Sequence, residues 1–256
     1  HVVGSNLINH PEDILKSPST VDVWERYIVG LDDPKSQGVQ QRRIVLRHIA
    51  LFKRFGFGQP VIVEARAVAE LVQRTDSQIT WGRFQEIIRS LRDRKILQGE
   101  HTLYITPKLL HVWLWIDWWE TYGEGFSIED IPSSSPTLTA WFFEMFEYAA
   151  GSPAALRTAR ALLGEEGPFQ QNAELLKEGL GPRFFRYLAK ADPEGALGCL
   201  ENTVGTWSEQ QLRQFTTGRR EVVWALEEIS RWRNLFAGSA RLLLALAEAE
   251  NETWSN

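Results

Sequence analysis

The chain has 256 residues, 43% of them hydrophobic and 24% charged, which is the composition of an ordinary folded protein with room for one large domain or two small ones. Its net charge is −5, and its single cysteine, Cys199, excludes an intramolecular disulfide and a thiolate-rich metal site and fits a reducing, cytoplasmic setting. The best apolar run, Val112–Ile116, is cut by Asp117 far short of a membrane span, and His1–Leu15 lacks the basic start and apolar core of a secretory leader.

Pro11–Ser17 and Thr20–Val29 are predicted as short helices, the second capped by Ser19 or Thr20. Leu31–Gly38, with Asp32, Asp33 and Pro34, is a polar loop that closes an N-terminal lead-in, residues 1–38. A helix over about Val39–Phe55 places Val45, Ile49 and Phe52 on one face, and Gly56–Pro60 ends it. A second helix is predicted at Ile62–Arg74. The third, Trp81–Arg94, has the clearest local grammar. Thr80 caps it, and Ile79 and Phe84 stand where a hydrophobic staple requires them. Trp81, Phe84, Ile88 and Leu91 form its buried stripe, with Arg83, Glu86, Arg89, Arg92 and Arg94 off that stripe. Ile96–Ile105 alternates and reads as a two-stranded wing.

Three helices and a wing predict a winged helix-turn-helix over residues 39–131, including the tryptophan-rich helix Pro107–Tyr122. Proline suits the first turn of that helix. Its leucines, tryptophans, Val112 and Ile116 cover all sides, which predicts burial all round, between the winged helix and the helices downstream. The eleven tryptophans are read chiefly as buried packing anchors.

Pro132-Ser133-Ser134-Ser135-Pro136 is a linker and the expected domain boundary. Residues 137–256 are expected to be helical, with spans near Thr137–Ala150, Pro153–Leu163, Ala173–Gly179, Arg183–Ala191, Pro193–Val204, Ser208–Phe215, Arg219–Arg231 and Ala237–Asn251. Short connections make consecutive helices antiparallel neighbours in a bundle or solenoid-like array. The fold class is therefore mainly all-α. The chain starts without Met, and the helical pattern Leu242–Trp254 runs on without a stop signal, so it reads as a piece of a longer protein.

Charge is uneven. Gln40–Lys108 carries 13 Lys and Arg against 6 Asp and Glu, in a chain of net −5. Two functions fit a basic module in an acidic chain. One is a nucleic-acid footprint, with the third helix in the major groove, Arg83, Arg89 and Arg92 reaching bases or phosphates, and Lys95 and His101 adding contacts from the wing. The other is a docking face for an acidic neighbour, a reading that Glu86, Asp93 and Glu100 on the same surface favour. Arg219-Arg220 opens a later helix against the macrodipole and is a second candidate edge for an acidic partner.

No catalytic constellation emerges. There is no G-x-x-x-x-G-K-[S/T] loop and no G-x-S-x-G elbow. His1, His10, His48, His101 and His111 lack metal-ligand spacing, and Cys199, beside Leu197 and Leu200, reads as a small core residue. No cofactor and no metal are expected in this stretch.

Three blocks, RRIVLRHIALFKRFGF, WGRFQEIIRSLRDRKIL and TLYITPKLL, resemble the winged helix that comes after the nucleotide-binding domain of STAND ATPases, the NACHT and NB-ARC relatives of the AAA+ class, some of them bacterial signalling and defence proteins. The segment RREVVWALEEISRWRNLFAGSARLLLALAEAENETWSN is similar to the HEAT-like arrays of large members, and the resemblance spans roughly Thr20 to the C-terminus. It implies a non-catalytic regulatory or sensor piece. The winged helix would dock on the nucleotide-binding core of the parent, where ATP or ADP binds. The helical array would meet a ligand or protein partner, and activation would proceed by homo-oligomerisation. Many members place a His-Asp pair after the wing, facing the nucleotide phosphate. Ile105-Thr106-Pro107 stands there instead, leaving Thr106 and His111 as weak substitutes.

Overall fold

The computed structural model describes residues 20–126 and 135–251. The expected helix Pro11–Ser17 and most of the Ser/Pro linker lie outside the described residues. The chain is mainly helical and divides into two compact units, His1–Trp115 and Ile116–Asn256, with the division inside the tryptophan-rich helix.

The first unit runs α1 (Thr20–Val29), α2 (Gln37–Ala50), β1 (Phe55–Gly56), α3 (Ile62–Thr75), α4 (Trp81–Asp93), β2 (Leu97–Gln98) and β3 (Thr102–Ile105). The strands form one antiparallel sheet in the order β1-β3-β2, with Phe55 opposite Leu103 and Leu97 opposite Ile105. This is a winged helix with a third strand beyond the expected hairpin. Helix α2 is shorter than the expected Val39–Phe55 at its C-terminal end. It stops at Ala50, because Leu51 and Phe52 bond back three residues to His48 and Ile49, and Phe55 then enters β1. A two-residue strand is too short to announce itself by alternation. Glu64 of α3 holds it from the side, its Oε2 accepting from the Gly56 N–H at 2.6 Å. A Cβ at Gly56 would come within 2.5 Å of Val61, so only glycine fits that approach.

Helix α4 begins as its sequence dictates, with the Thr80 hydroxyl accepting from the Arg83 N–H. Phe84, Ile87, Ile88 and Leu91 are buried. Trp81 is only half-buried, stacking on Phe84 at 5.9 Å with the Arg66 guanidinium 4.9 Å from its ring. The helix ends in a Schellman turn: Lys95 N–H bonds the Arg92 carbonyl and Ile96 N–H the Leu91 carbonyl, both at 2.9 Å. The position that glycine usually takes in this turn is held by Lys95, at φ +62°.

Two arginines fasten α1 to this core. Arg94 donates to the carbonyls of Tyr27 and Ile28 at 2.9 and 2.7 Å, and Arg42 to those of Ile28 and Val29 at 3.1 and 3.3 Å. These are the open carbonyls of a helix C-terminus, where cations are favoured.

Helix α5 (Lys108–Tyr122) crosses the division. It is not buried all round. Leu110, His111, Leu114, Trp115, Trp118 and Trp119 are buried, whereas Val112, Trp113 and Ile116 are half-buried and Leu109 is 72% exposed in the first turn.

The second unit continues with α6 (Pro136–Met145), a 3-10 turn (Phe146–Gly151), α7 (Pro153–Leu163), α8 (Pro168–Gln171), a 3-10 turn (Ala173–Leu176), α9 (Gly181–Ala191), α10 (Pro193–Asn202), α11 (Glu209–Gln214), α12 (Arg219–Ser230) and α13 (Phe236–Asn251). Ser135 and Ser152 each cap a helix with proline in its first turn. The expected helix Ala173–Gly179 is only a 3-10 turn, and α8 before it lies outside the expected spans. Helix α9 lies at the centre, packed on α6, α10 and α12, with Phe184, Phe185 and Leu188 buried. Trp118, Trp119, Phe126, Phe142 and Phe146 join in an edge-to-face aromatic cluster.

Candidate functional site

The five residues of the expected basic face do not stay together. Arg83 is committed within the first unit: its Nε donates to Gln41 at 2.8 Å and its Nη1 to Glu86 at 3.1 Å. His101 is exposed in the turn before β3, where its backbone carbonyl accepts from Phe57 and Gly58. Arg89, Arg92 and Lys95, by contrast, surround one open recess of about 500 Å³ with Asp93, Gln98 and Gly99. The Schellman turn produces this grouping. It folds the chain back so that Lys95 and the start of the wing flank the last turn of α4.

These three cations differ from the other arginines nearby. Arg42 pairs with Asp32, Arg43 with Glu25 and Arg83 with Glu86, while Arg94 caps α1. Arg89, Arg92 and Lys95 have no side-chain hydrogen bond or ion pair among the described residues. The recess also contains wing residues outside the sequence-predicted set, Leu97, Gln98 and Gly99. Gly99 sits at φ +115° with the Thr102 carbonyl 2.0 Å from where a Cβ would be, which keeps this rim free of a side chain.

The two weak phosphate-sensing candidates fall elsewhere. Thr106 is half-buried, and its N–H bonds the Ile96 carbonyl at 2.9 Å. His111 is buried, 6% exposed, with Nε2 3.1 Å from the Ala50 carbonyl. Burial takes its pKa down to about 4, against the upward pull of its bonds to the Ala50 and Phe52 backbone. It is a buried, neutral imidazole tied to the end of α2. Arg219 is likewise structural, donating to the carbonyls of Leu212 and Leu246. Arg220 is exposed, over the ring of Trp224 at 5.0 Å.

Two further recesses carry less. A cleft of about 700 Å³ between α1 and α2 is lined by both charge signs, with Arg43 already paired to Glu25. A pocket of about 460 Å³ in the second unit has Trp207, Leu212 and Leu242 beneath the Glu201–Arg241 ion pair. Cys199 is fully buried, and burial raises its thiol pKa to about 12, so it is no nucleophile. Among the described residues, no group of three or more His, Cys, Asp or Glu is placed to hold a metal ion, and no helix is long and apolar enough to cross a membrane.

Comparison with protein-family models, with curated proteins and with solved structures gives no match to this chain.

Proposed function

We propose that this chain is a non-catalytic regulatory segment of a cytoplasmic STAND-type signalling ATPase, in which the winged helix is a protein-docking module and the helical unit a sensor or scaffold for a ligand or partner. The observation that carries the docking reading is the solvent line of α4. Its exposed positions are Gly82, Glu86, Arg89 and Asp93, with Glu100 exposed on the wing. A duplex seated on this helix would bring phosphates against Glu86, Asp93 and Glu100, with Arg89 and Lys95 exposed among them. Phosphate recognition depends on a continuous cationic footprint, and the carboxylates interrupt this one. A protein partner is matched by mixed charge, which fixes register and excludes wrong partners. The order of winged helix, tryptophan-rich helix and helical array supports placing the segment after a nucleotide-binding core.

The mechanism is a population shift. Contacts of the winged helix favour one nucleotide state of the parent, contacts of the helical unit favour another, and ATP or ADP binds only the nucleotide-binding core of that parent. Homo-oligomers would form in the active state. The DNA-reader alternative draws on one observation, the three unpaired cations of the recess.

The test separates the two. The chain is titrated with a fluorescent random-sequence duplex at about 50 and about 200 mM salt, a window across which several phosphate contacts weaken strongly. The docking reading expects no tight binding at either salt. Tight, salt-sensitive binding that is lost in Arg89→Glu/Arg92→Glu overturns it. In the parent ATPase the same double substitution should change nucleotide turnover, and an unchanged rate in a folded protein counts against the switch.

A further inference from the structure

We infer that the recess at the end of α4 is the seat of an acidic segment of a partner protein, which places its carboxylates against Arg89, Arg92 and Lys95. This rests on the docking reading and names the partner's chemistry. Three observations carry it.

The first is charge left over. Other arginines of the first unit, Arg42, Arg43, Arg83 and Arg94, are spent on internal acids and carbonyls, while the three cations of the recess have none among the described residues. Two guanidiniums offer paired donors to carboxylates, and the lysine adds a third charge.

The second is the rim that the wing lends to the recess. Leu97, Gln98 and Gly99 line it, and Leu97 is buried, so the surface open to a partner is that of the three cations with Gln98 and Gly99.

The third is backbone cost. Lys95 holds a left-handed φ of +62° at a turn position where glycine is normal. The structure keeps a strained cation at the rim of the recess where an uncharged, unstrained residue would make the same turn. The recess, at about 500 Å³, holds several side chains rather than one small ion. Asp93 within it and Glu100 beyond it confine the anion to a short footprint, which a duplex backbone cannot respect.

The experiment measures anisotropy of the 256-residue chain with three probes: a labelled peptide of alternating Glu and Val, the same peptide with Gln for Glu, and a random-sequence duplex. The expected result is that the Glu peptide binds at least tenfold more tightly than the Gln peptide. That preference should shrink at higher salt and vanish in Arg89→Glu/Arg92→Glu. Lys95→Gly, which relieves the strained turn and so keeps the fold, should weaken the Glu peptide severalfold. Equal binding of the two peptides, or a Glu preference untouched by these substitutions, overturns the inference. If neither peptide nor duplex binds, this inference falls and the docking reading stands. If the duplex binds tightly and displaces the Glu peptide, the docking reading falls with it.

Discussion

His111 and Ala50 are joined through one buried bond, the imidazole Nε2 lying 3.1 Å from the carbonyl oxygen at the end of α2. His48, two residues before Ala50, is also buried. Its Nδ1 donates to the Ile44 carbonyl at 2.8 Å, so its Nε2 is the acceptor for the Thr75 hydroxyl at 2.9 Å. Burial sets both pKa values near 4, below the ordinary 6.5. The unfolded chain takes up these two protons as pH falls through about 6.5, and the folded chain does not until about 4. Stability is therefore full above about pH 7 and is lost as pH falls from 6.5 toward 4, by roughly 3 kcal/mol per imidazole. Urea unfolding at pH 7.5 and pH 4.5 checks this. The double variant His48→Gln/His111→Gln should be less stable at the higher pH and lose less on acidification. An identical acid loss in the variant would exclude the histidines as its source.

Arg94 and Arg92 make a contrast of neighbours. Arg94 is half-buried, and burial first, then the charge of Arg42, lowers its pKa from the ordinary arginine value. It satisfies two carbonyls at the end of α1, whereas Arg92 touches no acid among the described residues. Arg94→Lys keeps the charge and loses the fork, so it should cost about 1–2 kcal/mol and speed amide exchange in α1. Arg92→Lys should stay within about 0.5 kcal/mol. Comparable losses from the two would mean that the α1 cap contributes nothing.

The same pair shows where sequence reading reaches and where it stops. The start of α4 is legible because Ile79, Thr80, Trp81 and Phe84 carry the whole signal within a few residues. The Ser-Pro starts of α6 and α7 are equally local. Strand β1 is not legible, because its identity depends on Leu103 and Thr102 across the sheet and on Glu64 from α3. Among the candidate residues, Arg83, Arg89 and Arg92 look alike in sequence, all off the apolar stripe. Tertiary neighbours separate them: Gln41 of α2 takes Arg83, and the turn at Lys95 gathers the others. Helix α5 departs from its sequence pattern for a related reason. Apolar residues on every side predict burial, yet among the described residues Leu109 in its first turn stays exposed.

Lys95 supplies a stability test independent of binding. Its Cβ at φ +62° costs about 1 kcal/mol relative to glycine, and the Schellman bonds do not need the side chain. Lys95→Gly should raise the urea midpoint by an amount equivalent to that figure, with the slope unchanged. Lys95→Ala, which keeps the Cβ, should give little or no gain. If glycine destabilises instead, the lysine side chain is stabilising the turn, and the strain is no evidence of function.

In the second unit the aromatic contacts converge on Phe184. It is buried in α9, stacked face to face on Phe143 at 3.8 Å, edge-on to Phe146 at 5.2 Å and tilted against Phe169 at 6.0 Å. Phe184→Ala removes a ring from the packing of α6, α8 and α9 together, so the cavity has few ways to collapse, and a loss of about 3–5 kcal/mol is expected. Trp232 is the larger side chain but is 57% exposed, and Trp232→Ala should cost under about 1 kcal/mol. Chemical denaturation of the two variants beside the parent chain decides the matter. A cost at Trp232 matching that at Phe184 would mean that this exposed indole is covered in solution, and would mark it as a contact surface.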